Sequence, residues 1–144
     1  MEPAFFRLFN EIGILAQLSR AVFEARLPNG MPVSHFSVLN HLIRVGDGPT
    51  PLKLSNAFQV PKTTMTHTLS GLEKAGFVEM RPNPDDARSK QVWLTEAGQK
   101  FRDEAIMNVS IDMADLKDDF ALDRVEKLLP ELEELRKIMD ARRD

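Results

Sequence analysis

Residues 54–98 contain, in close succession, two short helical stretches, a ribbon with a charged tip and the start of another helix. Thr50 followed by Pro51 is typical of a helix start, with the hydroxyl as cap and proline at the first helical position. A second start follows at Pro61, and its apolar spacing predicts a helix that extends to Lys74. This succession predicts a helix-turn-helix.

A two-stranded ribbon is predicted after these helices. Residues 77–80 and 91–94 alternate apolar and polar side chains, as half-buried strands do. The connection, residues 81–90, holds two prolines, which exclude a tight two-residue turn and predict an extended loop. Gly76 is the expected left-handed terminator of the preceding helix, and Thr95 is the expected cap of the next one.

Longer helices are predicted on both sides of this segment. Apolar residues recur at helical spacing from Phe5 to Phe23, and a second helix is expected between a cap at Ser34 and Gly46. The last third is helical and acidic. One predicted face there consists of Phe101, Ala105, Val109, Met113 and Leu116.

The final helix has a narrow apolar stripe, which is typical of a coiled-coil-like contact with a partner helix. The stripe consists of Val125, Leu128, Leu132, Leu135 and Met139. We expect Pro130 to interrupt and kink this helix.

Composition excludes several classes of protein. The chain has no cysteine, which rules out disulfides and thiolate metal sites. Charged residues interrupt the apolar start, and no run approaches the roughly 18 apolar residues of a spanning helix, so we expect a cytoplasmic protein without membrane contact. The sequence has no Gly-rich phosphate loop and no recognisable nucleophile–base pair, so we expect neither an enzyme nor a cofactor. His35 and His41 fall on different sides of a helix, so we expect no metal site.

The charge is unevenly distributed along the chain. The net charge is −3, but residues 53–100 hold seven basic and five acidic side chains, whereas residues 101–144 hold eight basic and thirteen acidic ones. The middle third, at +2, is the only net-basic part, and binding responds to this local field.

The polar face of the second short helix fits the major groove of duplex DNA, because its side chains are short, nearly free of acid and placed near the helix start. These residues are Lys62, Thr63, Thr64, Thr66, His67 and Ser70. The ribbon adds Arg81, Arg88 and Lys90. Arg88, steadied by Asp86, is placed to enter the narrow minor groove, where the potential is most negative.

Three motifs at this spacing resemble the MarR (multiple-antibiotic-resistance regulator) family of winged-helix transcription regulators. They are Leu-Glu-x-x-Gly followed by two apolar residues (72–78), Asp-x-Arg (86–88) and Leu-Thr-x-x-Gly (94–98). The resemblance implies a mainly α fold with a small β-wing: a winged helix-turn-helix lobe in residues 33–98, with the wing at about 77–94. Dimerisation helices at 1–30 and 100–144 flank the lobe within a single domain, residues 1–144.

The resemblance also implies a homodimeric repressor that binds a pseudo-palindromic operator in double-stranded DNA, with the residues named above as its DNA contacts. A small aromatic ligand would bind in a cleft with the wall residues Phe9, Phe23, His35, His41 and Met107, although core or interface roles remain open for all five. The chain departs from the family pattern at Pro61, where a hydroxyl cap is usual, at His67, where arginine is common, and at Gly71. A winged helix used only for protein contact remains the alternative, and acidic or large apolar residues on the recognition face would favour it.

Overall fold

The computed structural model describes residues 1–46 and 48–143, apart from the side chain of Asn29. Its helices are α1 (Ala4–Arg26), α2 (Val33–Val45), α3 (Pro51–Phe58), α4 (Lys62–Lys74), α5 (Glu96–Asp112) and α6 (Leu122–Ala141), with 3₁₀ turns at Pro28–Gly30 and Ala114–Asp118. Strands β1 (Val78–Pro82) and β2 (Lys90–Leu94) pair antiparallel. This mainly helical fold with a two-stranded wing confirms the predicted fold class. The predicted turn after α2 includes Asp47, which lies outside the described residues.

The fold contains two compact units, Met1–Val109 and Ser110–Asp144. The first holds α1 to α4, the wing and most of α5; the second holds the end of α5, the second 3₁₀ turn and α6. The elements predicted to recognise DNA all lie in the first unit.

Local signals at the ends of the short helices are confirmed. The Thr50 hydroxyl accepts a hydrogen bond from the Lys53 amide at 3.2 Å, with Pro51 at the first helical position. Gly46 (φ 91°) follows α2, and Gly76 (φ 79°) follows the end of α4 in the left-handed region, where glycine carries no Cβ penalty.

The predicted cap of α2 is wrong. The helix begins at Val33 after Pro32, which makes no side-chain cap, and Ser34 lies inside the first turn with its Oγ 3.4 Å from His35 Nδ1. The backbone before the helix is fixed by Pro32, whose ring sets φ at −65°, so the helix starts two residues earlier than a serine cap would allow.

The wing strands are longer than predicted. Arg81 pairs with Gln91 and Pro82 with Lys90, so residues assigned to the connection continue the ladder and the loop is limited to residues 83–89. Pro82 is tolerated at the end of a two-stranded sheet because its missing N–H can face outward.

Two predictions in the last third are also corrected. Helix α5 ends at Asp112, so Met113 and Leu116 do not continue its buried face; Leu116 is exposed on the 3₁₀ turn that follows. Aspartates are frequent in this turn and are poor helix formers, which favours the change to i→i+3 bonding. Helix α6 continues through Pro130 without interruption, whereas the kink expected there stays a prediction.

One apolar cluster joins the helix-turn-helix to the wing and α5. It consists of Val38, Leu39, Leu42, Leu54, Met65, Leu69, Leu72, Val78, Val92 and Phe101. Met65, Leu69 and Leu72 are the residues of α4 in this cluster. Burial of these side chains fixes the orientation of α4 and leaves its opposite face in solvent.

A compact joint connects α4, the wing and α5. The Thr95 hydroxyl donates to the Gly76 carbonyl at 2.6 Å and accepts from the Gly98 amide at 3.0 Å. The Thr95 amide donates to the Phe77 carbonyl at 3.1 Å. Gly98 lies so close to the backbone just before β1 that an added Cβ would stand 2.2 Å from the Phe77 carbonyl oxygen. The Leu-Thr-x-x-Gly motif is therefore explained by a cap and a close backbone approach.

Gly71, a departure from the family pattern, lies where α2 packs against α4. A Cβ added at Gly71 would stand 2.8 Å from Nε2 of His35, so the glycine makes room for the imidazole. Burial, reinforced by the nearby His67, lowers the pKa of the His35 imidazole below its ordinary value of 6.5. The neutral ring is therefore favoured at this helix contact.

We expect Gly98→Ala to lower the free energy of unfolding by about 1–3 kcal/mol, since the new methyl group must displace the Phe77 backbone. Urea denaturation measures the change. Gly13→Ala is the matched control, because nothing lies within 4 Å of its added Cβ, and should stabilise α1 by about 0.5–1 kcal/mol. Equal effects of the two substitutions would contradict this account of the joint.

Stability should fall in weak acid because of His35. The pKa of His35 is lower in the folded protein than its ordinary value of 6.5, which we take for the unfolded chain. Between these two pKa values the unfolded chain binds more protons than the folded protein, so the free energy of unfolding decreases as pH falls. We expect His35→Gln to flatten this part of a stability-versus-pH curve measured by urea denaturation. Ser37→Ala, a non-titrating change on the same helix, should retain the slope, and an unchanged slope in His35→Gln would refute the assignment.

Candidate nucleic-acid interface

Helix α4 presents an exposed face of short polar side chains. Its buried residues are Met65, Thr68, Leu69 and Leu72. The six residues predicted to meet DNA are all exposed: Lys62, Thr63, Thr64, Thr66, His67 and Ser70. The Thr66 hydroxyl donates to the Lys62 carbonyl at 2.9 Å, so its oxygen still accepts. A surface of this kind lets a helix backbone approach base edges closely.

The loop of the wing is organised by its own polar residues. Asn83 Nδ2 donates to Ser89 Oγ at 2.9 Å across the loop, and the Asp85 amide donates to Asn83 Oδ1 at 3.0 Å. Sequence reasoning did not single out Asn83 or Ser89. The sequence signal that could have found them is the asparagine at the start of the loop, because asparagine side chains often form hydrogen bonds within such turns.

Arg88 projects from the tip of this loop. Asp86 Oδ1 accepts from the Arg88 amide at 2.9 Å and from its Nε at 3.2 Å, while 91% of the Arg88 side chain is exposed. The carboxylate therefore holds the stem of the side chain and leaves the outer part of the guanidinium in solvent. Such a cation fits a narrow groove with strongly negative potential.

Arg81 and Lys90 lie on the strands rather than at the tip. Arg81 forms an ion pair with Glu79, and its Cζ lies 4.1 Å from the centroid of the Trp93 ring. Lys90 is exposed and pairs with Pro82 in the ladder. Glu79 and Trp93 were missed from the sequence because their relation to Arg81 depends on the register of the strands.

The base of the wing adjoins the exposed face of α4. Thr66 and Ser70 of α4 and Met80 of β1 line a single shallow cavity of about 160 Å³ together with Pro51 at the start of α3. The structure thus brings the helix face and the ribbon together in one lobe.

The residues predicted for a ligand pocket lie in different surroundings. Phe23 packs on Phe36 with ring centroids 5.2 Å apart, whereas Phe9 stacks on Phe5 at 6.4 Å. His35 contacts the Gly71 region of α4, His41 lies 5.1 Å from the Phe58 ring, and Met107 is 65% exposed. A pocket with these five residues as its wall therefore remains a prediction.

Within residues 1–46 and 48–143, no group of three or more histidine, aspartate and glutamate side chains is placed to hold a metal ion. Over the same residues, none of the helices combines the length and the apolar character needed to cross a membrane.

Comparison with known proteins agrees with this geometry. The model of the MarR family matches residues 29–89. The HTH-type transcriptional regulator BilQ of Clostridioides difficile (strain CD3) is 38% identical over 47 residues, a match that spans 33% of this chain and 32% of that protein.

Solved structures cover nearly the whole chain. Apo MarR from E. coli has a TM-score of 0.75 at 26% identity, over 94% of this chain and 98% of that one. A mutant of the same protein complexed with operator DNA has a TM-score of 0.68 at 26% identity, over 91% and 94% of the two chains. The family match covers α2 to α4, β1 and the loop of the wing, and the structural match extends to β2 and the long helices. Residues 29–89 therefore match the MarR family of winged-helix DNA-binding transcription regulators, and the chain has the fold of MarR.

Proposed function

We propose that this chain is a homodimeric repressor that binds a pseudo-palindromic operator near its own gene. One observation carries the proposal: the exposed face of α4, made of short polar side chains, adjoins a wing whose tip projects Arg88. The family consists of transcription regulators and not of enzymes. The similar E. coli protein that was solved with operator DNA supports the choice of ligand.

In the proposed complex, α4 enters the major groove with Lys62 and Thr63 near the phosphates and Thr66, His67 and Ser70 toward base edges. Arg88 enters the adjacent minor groove, where a deep negative potential attracts a guanidinium. Arg81 and Lys90 contact the phosphates that flank this groove. A cytoplasmic location follows, because the operator lies there.

Exposed apolar side chains support the homodimer. The described residues of α1 and α6 include none that is buried, yet both helices carry large apolar side chains in solvent. They include Phe5, Phe6, Leu15 and Leu18 on α1, and Leu122, Leu128, Leu129, Ile138 and Met139 on α6. Surfaces of this extent mark an interaction site. A second copy of the chain would also supply the second recognition helix, which a palindromic DNA site requires.

A winged helix that only contacts proteins would need acidic or large apolar residues on the outer face of α4, and the six exposed residues named above include neither.

Release by a small aromatic ligand rests on the family resemblance. The direct test is isothermal titration with salicylate, for which heat of binding that disappears in Phe23→Ala would place the ligand beside that residue.

Arg88→Ala should weaken operator binding by about 1–3 kcal/mol, because the minor-groove cation is lost while the joint and the core are untouched. Fluorescence anisotropy with duplexes from the region beside the gene measures this. A shuffled duplex of equal composition shows whether wild-type binding is specific. Arg20→Ala is the matched control, since Arg20 pairs with Glu24 on α1, outside the winged lobe.

Two results of that experiment would count against the proposal. Equal affinity of the wild type for operator and shuffled duplexes would remove the repressor assignment. An operator affinity of Arg88→Ala equal to that of the wild type at low salt would remove the role of the wing tip.

Leu132→Glu should convert the dimer into a monomer, because Leu132 is half-buried on the apolar stripe of α6 and a charge there cannot be covered by a partner helix. Light scattering measures the mass. Lys127→Glu, at an exposed position of the same helix outside the stripe, should remain dimeric. A Leu132→Glu variant with the mass of a dimer would exclude α6 from the interface.

A further inference from the structure

The outer face of the wing carries an aromatic ring with a guanidinium stacked on it. Arg81 lies over Trp93 with 4.1 Å between its Cζ and the ring centroid. The two residues are diagonal neighbours in the ladder, since Arg81 pairs with Gln91 and Trp93 pairs with Glu79. Diagonal pairs in antiparallel strands are within reach of long and aromatic side chains.

The Trp93 ring is itself held in place. The Gly48 amide donates to the Val92 carbonyl at 2.9 Å and the Val92 amide donates to the Pro49 carbonyl at 2.9 Å, so Gly48 and Pro49 run beside β2. A Cβ added at Gly48 would stand 3.8 Å from Trp93 Cζ2. Trp93 Nε1 is buried and makes no hydrogen bond within the described part of the chain. One edge of the indole is thus enclosed, and its face is turned to Arg81.

The stacking leaves hydrogen-bond donors of Arg81 available. Glu79 Oε1 accepts from Nε and pairs with Nη2 of Arg81, and half of the Arg81 side chain is exposed. The N–H groups of a guanidinium lie in its own plane, so a contact of Cζ with a ring face leaves donors at the edge of the group that can point away from the ring. Nη1 can therefore donate to a phosphate without leaving the indole.

We propose that Trp93 is a positioning residue for DNA binding: its ring holds Arg81 in the orientation in which the guanidinium receives a backbone phosphate beside the minor groove. This inference rests on the proposed function. An unrestrained arginine side chain loses conformational entropy when it binds a phosphate. Because the Trp93 ring already restricts the rotamers of Arg81, less entropy is lost on binding. Trp93 itself touches no DNA.

The experiment is a double-mutant cycle of Trp93→Leu and Arg81→Gln, read by anisotropy with an operator duplex between about 50 and about 200 mM salt. Arg81→Gln should remove one phosphate contact per protomer and therefore two per dimer. The slope of log association constant against log salt concentration should then be about 1.8 less steep than that of the wild type. Trp93→Leu should weaken binding by about 2- to 5-fold per protomer and shift the slope in the same direction. The double variant should bind as Arg81→Gln does.

Two further variants separate positioning from folding. Trp93→Phe retains an aromatic face and should restore most of the affinity and the slope. Phe58→Leu, an aromatic-to-leucine change beside His41 and away from the wing, should leave the slope at the wild-type value even if it lowers the melting temperature. If Trp93→Leu does not fold, Trp93→Met takes its place in the cycle, because methionine fills an irregular apolar site but has no aromatic face for the cation.

The outcomes are distinct. Coupling between the two sites together with rescue by phenylalanine supports the proposal. Additive effects, or wild-type binding by Trp93→Leu, overturn it while operator recognition stands. A wild-type protein that binds no duplex overturns the proposed function and this inference with it.

Discussion

The Thr95 hydroxyl accepts a hydrogen bond from the first turn of α5 and donates one to the carbonyl of Gly76, just beyond α4. Its backbone amide simultaneously bonds the start of the wing at Phe77. Three elements therefore share one residue, and Gly98 allows them to meet without a side chain between them. The direction in which the wing leaves α4 depends on this joint. Both surfaces proposed to face DNA depend on this joint, together with the apolar cluster that packs α4 against the two strands of the wing.

The two arginines of the wing are held in the same way. Glu79 precedes Arg81 by two positions and pairs with it, and Asp86 precedes Arg88 by two positions and pairs with it. Both pairs are exposed, so each contributes little to stability and serves mainly to restrict the cation. A phosphate that approaches either arginine meets a group already oriented, but it must also compete with a carboxylate. Affinity for DNA would then depend on the match between phosphate positions and the two guanidinium groups, more than on total charge.

The parts of this structure that could be predicted from sequence are those decided within one turn of chain. The Thr50–Pro51 start and the Gly76 terminator are local hydrogen-bond and dihedral effects, and both are confirmed. The cap at Ser34 failed because a neighbouring proline competed for the helix start. The contact between Gly71 and His35 and the stacking of Arg81 on Trp93 could not be predicted, because each depends on how two separate elements pack or register. The surroundings of the five residues predicted for a ligand pocket could not be read from the sequence for the same reason, because periodicity gives a helix face but not the element it meets, and that pocket stays a prediction.

The uneven charge along the chain has a consequence for how such a protein finds DNA. Residues 101–144 hold thirteen acidic and eight basic side chains, so most of the last third is repelled by phosphates, whereas residues 53–100 carry a net charge of +2. A field of this size attracts a duplex weakly, but residues 1–52 hold equal numbers of basic and acidic side chains and the last third repels DNA, so residues 53–100 are the part that a duplex approaches most favourably. In the proposed two-fold dimer the attraction would be doubled at two points of fixed separation, and the acidic segments would oppose contact elsewhere. Selectivity of that dimer for spaced half-sites would then follow from where the chain repels DNA as well as from where it binds.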